Sequence, residues 1–385
     1  MSTVHQSKKK VLIFCDWYDP GYKAGGPIQS CRNIVATLSG DYTFHIITSD
    51  RDLGDEGPYP GITLNQWMKP KEDISILYAA PGFLTGKKIA ELVKELQPDT
   101  IYFNSMFSKA FTLLPLWALR GATPARIVLA PRGMLHAGAI QQKTLKKKIF
   151  LQLFRFTGIT KKIVFHATDA QEEKDIRSYF PSADILVAEN IPNTDAMSWE
   201  PSGKEPGSLN LVFISRIHPK KNLHFLLDLL QDIKPPSSLT LDIYGEYDDN
   251  NYAGECKTKA ASLPANIQVA FKGPLPHKEI FPTLRKYHLF VLPTLGENFG
   301  HAIFEALSAG RPVLISDQTP WRSLSLNKAG FDISLDDQAA FRASLEKFLA
   351  MDKQQFNEWS AGAHAFAGGF IATFDYLPKY SSLFQ

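Results

Sequence analysis

At 385 residues the chain is longer than a single hydrophobic core usually grows, so two domains of roughly 150 to 200 residues each are expected. Its 44% hydrophobic and 21% charged residues exclude a disordered or fibrous protein. A formal net charge of +3, without a concentrated basic face, argues against a nucleic-acid partner but allows anionic ligands of nucleotide size.

Three separated cysteines, Cys15, Cys31 and Cys256, provide neither a disulfide framework nor a metal-ligand spacing and suit a reducing cytosol. The opening MSTVHQSKKK is basic, but the apolar run after it, VLIFC, stops at Asp16 and is too short for a signal-peptide core. No later segment reaches bilayer-spanning length, so a cytoplasmic protein is expected.

Short runs rich in Val, Ile, Leu and Phe alternate with longer amphipathic stretches, the pattern of parallel strands joined by crossover helices in an α/β fold. The first strand, VLIFCD (11–16), leads into DWYDPGYKAGGPIQ, where Gly25 and Gly26 let backbone N–H groups approach an anion at a helix start. No G-x-G-x-x-G follows, which counts against NAD or FAD. After the strand YTFHIIT (42–48), Asp50-Arg51-Asp52 has the spacing of a metal-dependent transferase but reads as a surface loop, and no metal is expected.

Strands ISILYA (74–79), TIYFN (100–104) and RIVLA (126–130) follow, with a helix over KKIAELVKEL (87–96). At the end of the last of these, LAPRGMLHAGAIQQK presents Arg132 and His136, and a histidine there can bond or accept a proton near neutral pH. The stretch KTLKKKIFLQLFRFTGITKK (143–162) mixes seven Lys or Arg with Ile, Leu and Phe. It suits a helix lying on an anionic membrane surface and, equally, one packing its apolar side inward with solvated lysines. Strands KIVFHA (162–167) and DILVA (184–188) flank the helix DAQEEKDIRSYF (169–180).

Between Glu189 and Ser208 periodicity gives way to Pro, Gly, Ser and Asn, marking a linker and the domain boundary. A second α/β alternation follows, with strands LNLVFIS (209–215), LTLDIYG (239–245), IQVAFKG (267–273), LFVLP (289–293) and PVLIS (312–316). In LVFISRIHPKKNLHFLLDLL, Arg216 ends a strand and Lys221 precedes a helix (222–230), with Lys220 a rival. Two cations at such a junction can clamp a diphosphate.

In LFVLPTLGENFGHAIFEALSAGRPVLIS, Glu297 lies in a turn and Glu305, seven residues between them, lies in the helix starting near Phe299 or Gly300. Carboxylates accept hydrogen bonds from sugar and ribose hydroxyls, and a helix N-terminus offers N–H groups to a phosphate.

The run VLPTLGENFGHAIFEALSAGRPVLISD resembles the E-x7-E signature of the retaining GT-B glycosyltransferases of the family-4 type (glycosyl transferases group 1). SRIHPKK resembles that family's S/G-R-x-x-x-x-K element, and P-R-G-M-L is shared with some members. Echoes at HATDAQEEKDI, IPN, FKGPL and QTPWRSL extend the likeness over nearly the whole chain, while Tyr287-His288 and IPNTD depart from it.

The resemblance implies a GT-B architecture, two Rossmann-like open parallel-sheet domains facing a cleft. They would be an acceptor-side domain over 1–195 and a nucleotide-sugar domain over 205–365, with a helix over 366–385 returning to the first. It implies catalytic roles for Arg216, Lys221, Glu297 and His136. Donor binding falls to Gly25, Gly26, Asn298, Phe299, Gly300 and Glu305, with Glu305 on the ribose and Arg132 on the acceptor side. It further implies a UDP- or GDP-sugar donor, a glycan or lipid-linked acceptor, no cofactor or metal, and a role in surface polysaccharide synthesis. A two-domain sugar-binding protein and a GT-B-like epimerase are the competing readings.

Overall fold

A computed structural model describes residues 8–121, 123–136, 149–152, 154–155, 157–193, 198–233 and 236–385. The chain divides into two units, one comprising Met1–Ile191 with Asp375–Gln385 and the other Pro192–Phe374.

The first unit holds β1 (Lys9–Phe14), β2 (Tyr42–Ser49), β3 (Trp67–Lys71), β4 (Ile74–Ala79), β5 (Thr100–Phe103), β6 (Arg126–Leu129), β7 (Ile163–Ala167) and β8 (Asp184–Val187). Their order is β3-β4-β2-β1-β5-β6-β7-β8, parallel except for the antiparallel edge strand β3. The last four residues of β1 and all of β5 and β7 are buried, because crossover helices cover both faces of a parallel sheet. Strand order reverses between β1 and β5, the position where open α/β sheets leave a crevice at the strand carboxyl ends.

The second unit holds β9 (Ser208–Ile214), β10 (Ser238–Tyr244), β11 (Ile267–Gly273), β12 (Leu289–Leu292), β13 (Val313–Ser316) and β14 (Gly330–Ile333). The order β11-β10-β9-β12-β13-β14 is parallel throughout and reverses between β9 and β12.

β3 and β14 are additions to the strands expected from sequence. Residues 198–207 are no free linker, for they pack on the second unit: Trp199 Nε1 donates to Ser360 Oγ at 2.9 Å, and the Ser202 amide donates to Asn357 Oδ1 at 2.8 Å. Lys204 is buried there, donating to the carbonyls of Glu205, Leu349 and Met351 at 2.8, 3.3 and 3.1 Å.

The C-terminal stretch also divides differently from the expected 366–385 helix. The helix Lys353–Thr373 stays with the second unit, and only Asp375–Gln385, with the helix Leu377–Leu383, rejoins the first. There Tyr380, Leu383 and Phe384 are fully buried, and Lys379 is ion-paired to Glu189 at 2.6 Å.

Of the basic stretch 143–162, residues 143–148, 153 and 156 lie outside the described residues. In the described part Leu151 and Phe154 are buried, and the Phe150 ring meets Phe107 at 5.6 Å. No helix among the described residues is long and apolar enough to cross a membrane.

Candidate active site

In the second unit the site grows from the carboxyl ends of β9 and β12, on either side of the strand-order reversal. The chain leaves β9 through Ser215 and Arg216, close against Gly245. A Cβ at Gly245 would fall 1.9 Å from the Ser215 carbonyl oxygen, so only glycine admits this approach. A 3-10 turn, Pro219–Lys221, follows, with the His218 imidazole accepting from the Lys220 amide at 3.0 Å. Asn222, in the left-handed region at φ 59°, then redirects the chain into the helix Leu223–Leu230, whose leucines anchor in the core.

Backbone bonds stitch this turn to the loop after β12. The Leu295 amide donates to the Lys220 carbonyl at 2.8 Å, Thr294 Oγ1 donates to the same oxygen at 3.2 Å, and the Glu297 amide donates to the Gln318 carbonyl at 2.9 Å. Lys221 Nζ thereby meets Glu297 Oε1 in an ion pair whose side chains are 15% and 13% exposed. Burial alone would raise the Glu297 pKa, but Lys221, with Lys220 and Thr294, outweighs it and holds the carboxyl below its ordinary value.

Lys220 is also shifted down, below an ordinary lysine. Burial lowers its pKa and Lys221 and Arg216 add to the effect, against the pull of Glu297. Among the described residues it has no ion pair, and Arg216 is paired outward with Asp248 at 2.8 Å. Three cations thus converge with one buried carboxylate, an excess of positive charge suited to a polyanion.

Gly300 stands at φ 75° at the start of the helix His301–Ser308, which no side chain caps. A Cβ there would come within 2.8 Å of Ile303 Cδ1. Phe299 is buried, ringed by Trp321 at 5.1 Å and Phe304 at 5.9 Å, and Trp321 Nε1 donates to its carbonyl at 2.6 Å. Its side chain is a loop anchor, so what this position offers a ligand is backbone. Asn298 lies between Glu297 and this anchor and is half-buried. Glu305, the fifth residue of the helix, is 2% exposed and does not share the Lys221 contact of Glu297.

The remaining candidates belong to the first unit. Gly25, at φ 66°, precedes the helix Gly26–Leu38, which also lacks a side-chain cap, and a Cβ at Gly25 or Gly26 would meet no atom within 4 Å. The loop is held from below by Asp52, whose carboxylate accepts from the amides of Tyr22, Lys23 and Leu53 at 2.7, 3.1 and 2.8 Å. Asp50 and Asp52 are 1% and 3% exposed, which corrects the surface-loop reading of Asp50-Arg51-Asp52. Asp50 is paired with the Arg51 guanidinium at 2.8 Å, and the Asp52 carboxylate organises the protein's own backbone. Among the described residues no cluster of His, Cys, Asp and Glu is arranged to hold a metal.

Arg132 occupies the left-handed region at φ 55° and spends three donor atoms on the protein itself. Nε donates to Asn104 Oδ1 at 2.8 Å, Nη1 to Asn190 Oδ1 at 2.5 Å and Nη2 to Tyr102 Oη at 2.7 Å. Tyr102 Oη in turn lies 2.7 Å from His166 Nδ1, and His166 Nε2 lies 2.7 Å from the Ala188 carbonyl oxygen. His136 Nδ1 is in hydrogen-bond contact with Asp175 Oδ2, and the residues after it, 137–148, lie outside the described residues.

This chain of bonds fixes His166 as a neutral imidazole that donates through Nε2 and accepts through Nδ1. Burial, then Arg132, push its pKa down to about 3 from an unfolded value of 6.5. Below pH 6.5 the unfolded chain takes up a proton that the folded one refuses, so stability falls with falling pH until about pH 3, at about 1.4 kcal/mol per pH unit. Urea titrations at pH 7 and pH 5 are expected to show this loss in the wild type, and a smaller loss in His166→Gln. An equal acid loss in both proteins would remove His166 as its source.

Comparison with known proteins bears on both units. Residues 198–363 match the family described as Glycosyl transferases group 1. The UDP-N-acetylglucosamine--peptide N-acetylglucosaminyltransferase GtfA subunit of Streptococcus parasanguinis is 25% identical over 234 residues, covering 59% of this chain and 41% of that protein. The phosphatidyl-myo-inositol mannosyltransferase of Mycobacterium leprae is 27% identical over 189 residues, 48% of this chain and 49% of that one. The matches therefore span less than half the length of these relatives.

Among solved structures, sucrose-phosphate synthase from Thermosynechococcus elongatus superimposes with a TM-score of 0.70 at 15% identity, covering 98% of this chain and 97% of that one. Anabaena Alr3699/HepE in complex with UDP and glucose gives 0.65 at 15% identity, covering 97% and 98%. At such identities the likeness is one of fold, and it extends over both units.

Proposed function

We propose, from the match of residues 198–363 to the glycosyl transferases group 1 family and from the GT-B fold of the whole chain, that this protein is a retaining glycosyltransferase. It moves a hexose-type sugar from a UDP- or GDP-linked donor to a glycan or lipid-linked acceptor in surface polysaccharide synthesis. The observation that carries the reading is the contact of Lys221 with Glu297, flanked by Lys220 and Arg216 at the carboxyl ends of β9 and β12.

An ammonium has three N–H donors, so Lys221 can keep Glu297 oriented while giving a hydrogen bond to a diphosphate oxygen. Glu297, ionised at neutral pH, accepts from hydroxyls of the donor sugar. As the bond between the anomeric carbon and the diphosphate oxygen breaks, Arg216 and Lys221 stabilise the charge left on the diphosphate. The acceptor hydroxyl bonds to the same face of the anomeric carbon and passes its proton to the departing oxygen, so neither a protein nucleophile nor a metal is assigned. Backbone N–H groups before the uncapped helix His301–Ser308 add to phosphate binding.

The relatives' names support the donor class, since one carries UDP-N-acetylglucosamine and a Caenorhabditis elegans relative carries GDP-Man. The seven Lys or Arg of 143–162 support a peripheral contact with an anionic membrane surface on the cytoplasmic side, although Leu151 and Phe154 of that stretch are buried.

The test is a thermal-shift titration with UDP, GDP, ADP, CMP and their sugar conjugates, because a ligand that binds only the folded state raises Tm. Stabilisation by UDP or GDP is expected, with about 2.7 kcal/mol at a hundredfold excess over Kd, and weakened in Arg216→Ala. Indifference to every nucleotide, with no transfer from any sugar conjugate, would overturn the reading.

A further inference from the structure

Glu305 poses a problem that its helix does not solve. Its side chain is 3% exposed, yet Oε1 accepts no hydrogen bond from any described residue. A buried carboxylate oxygen without a donor is left with its full desolvation penalty. Native proteins tolerate such an atom where something outside the chain supplies the donor.

Two side chains from distant segments converge beside that oxygen. His277, the first residue of the helix His277–Leu284, places Nε2 3.3 Å from Glu305 Oε1. Asn193 places its side-chain amide 3.3 Å from the same Nε2. An ionised carboxylate oxygen carries only lone pairs, so the His277 contact is attractive only when Nε2 bears a hydrogen. The Asn193 amide, whose nitrogen and oxygen exchange by a half-turn, then directs its oxygen to that hydrogen.

The result is an acceptor, Glu305 Oε1, beside a His277 Nε2–H that Asn193 holds in place and that a ligand oxygen can share in a three-centre bond. A pair of adjacent hydroxyls complements this arrangement, one giving its hydrogen to the carboxylate while the other receives one from the imidazole.

We infer that His277, held by Asn193, is a second specificity-determining residue beside Glu305, and that the two together recognise the vicinal diol of the ribose in a nucleoside diphosphate. The inference rests on the proposed role of Glu305 in donor binding. It adds the residue that selects ribose over a sugar lacking those hydroxyls. His277 lies 28 positions from Glu305 and Asn193 lies 84 from His277, so only the folded second unit assembles the group.

The test is calorimetric titration of the full chain with UDP and GDP and with their 2′,3′-dideoxy counterparts. The wild type is expected to bind the ribose form of its nucleotide at least about tenfold more tightly, the worth of a hydrogen bond to a charged group. In His277→Ala this ratio falls to about threefold or less while the dideoxy form keeps its wild-type Kd. His277→Gln, whose amide nitrogen takes the place of Nε2, keeps most of the ratio.

A wild-type ratio in His277→Ala, or equal weakening of both nucleotide forms, would overturn the inference and leave the role of Glu305 standing. No ribose preference in the wild type would overturn the role of Glu305 and this inference together.

Discussion

Lys221→Ala is expected to lower sugar transfer by about 10²- to 10³-fold, the usual effect of losing one group that stabilises developing charge. The same change should destabilise the second unit, because it leaves the Glu297 carboxylate, 13% exposed, without its ion-pair partner. Removing one side of a buried pair costs about 3–5 kcal/mol. Lys220, which also holds the Glu297 pKa down, offsets part of that cost.

The two effects separate in the double variant Lys221→Ala with Glu297→Gln. Neutralising the stranded carboxylate returns most of the stability, whereas activity stays lost because the proposed reaction uses both groups. Urea denaturation and a radiolabelled transfer assay on the single and double variants check this. Near-normal turnover in Lys221→Ala would sink the catalytic role, and a double variant as unstable as the single one would sink the electrostatic account.

The second large effect concerns stability alone. Phe384 is fully buried, and its ring centroid lies 5.5 Å from Tyr42, 6.2 Å from Phe44, 5.8 Å from Tyr102 and 6.0 Å from Tyr380. Truncation to alanine removes these contacts and opens a cavity in the first unit, at a cost of about 3–5 kcal/mol. Phe384→Leu, which retains most of the volume, should cost much less.

Calorimetry of the two variants is the measurement. It should show an unfolding transition lowered strongly in Phe384→Ala and weakly in Phe384→Leu. Equal, small shifts in both would mean that the terminal segment is not part of the first unit's core.

Much of the α/β framework was legible because buried parallel strands are written as short apolar runs, as in VLIF and IVF. β3 escaped because its sequence, WMKPK, is an exposed edge with a proline and two lysines, so neither apolar alternation nor a continuous run marks it. β14 escaped because GFDI is four residues long and begins on a glycine. The meeting of Lys221 with Glu297 could be expected from motif order, since both lie in short turns that follow buried strands.

His277 carried no such signal and Asn193 only that of the IPN echo, for a single histidine at a helix start is uninformative until long-range packing brings it to Glu305. Asp52 was misread for a related reason. Its polar neighbours suggest a surface loop, but its carboxylate is spent on backbone amides of a segment some thirty residues earlier.

The path of the chain sets an order on its own synthesis. It leaves the first unit at Ile191, runs through all of the second, and only then supplies Tyr380, Leu383 and Phe384 to the first unit's interior. A nascent chain emerging from the ribosome therefore has every residue of the second unit available before the first can close its core, although the first begins to emerge earlier. The N-terminal unit waits, with the apolar surface around Tyr42, Phe44 and Tyr102 uncovered, for residues translated nearly two hundred codons after it was otherwise complete. That interval is when a chaperone has most to shield.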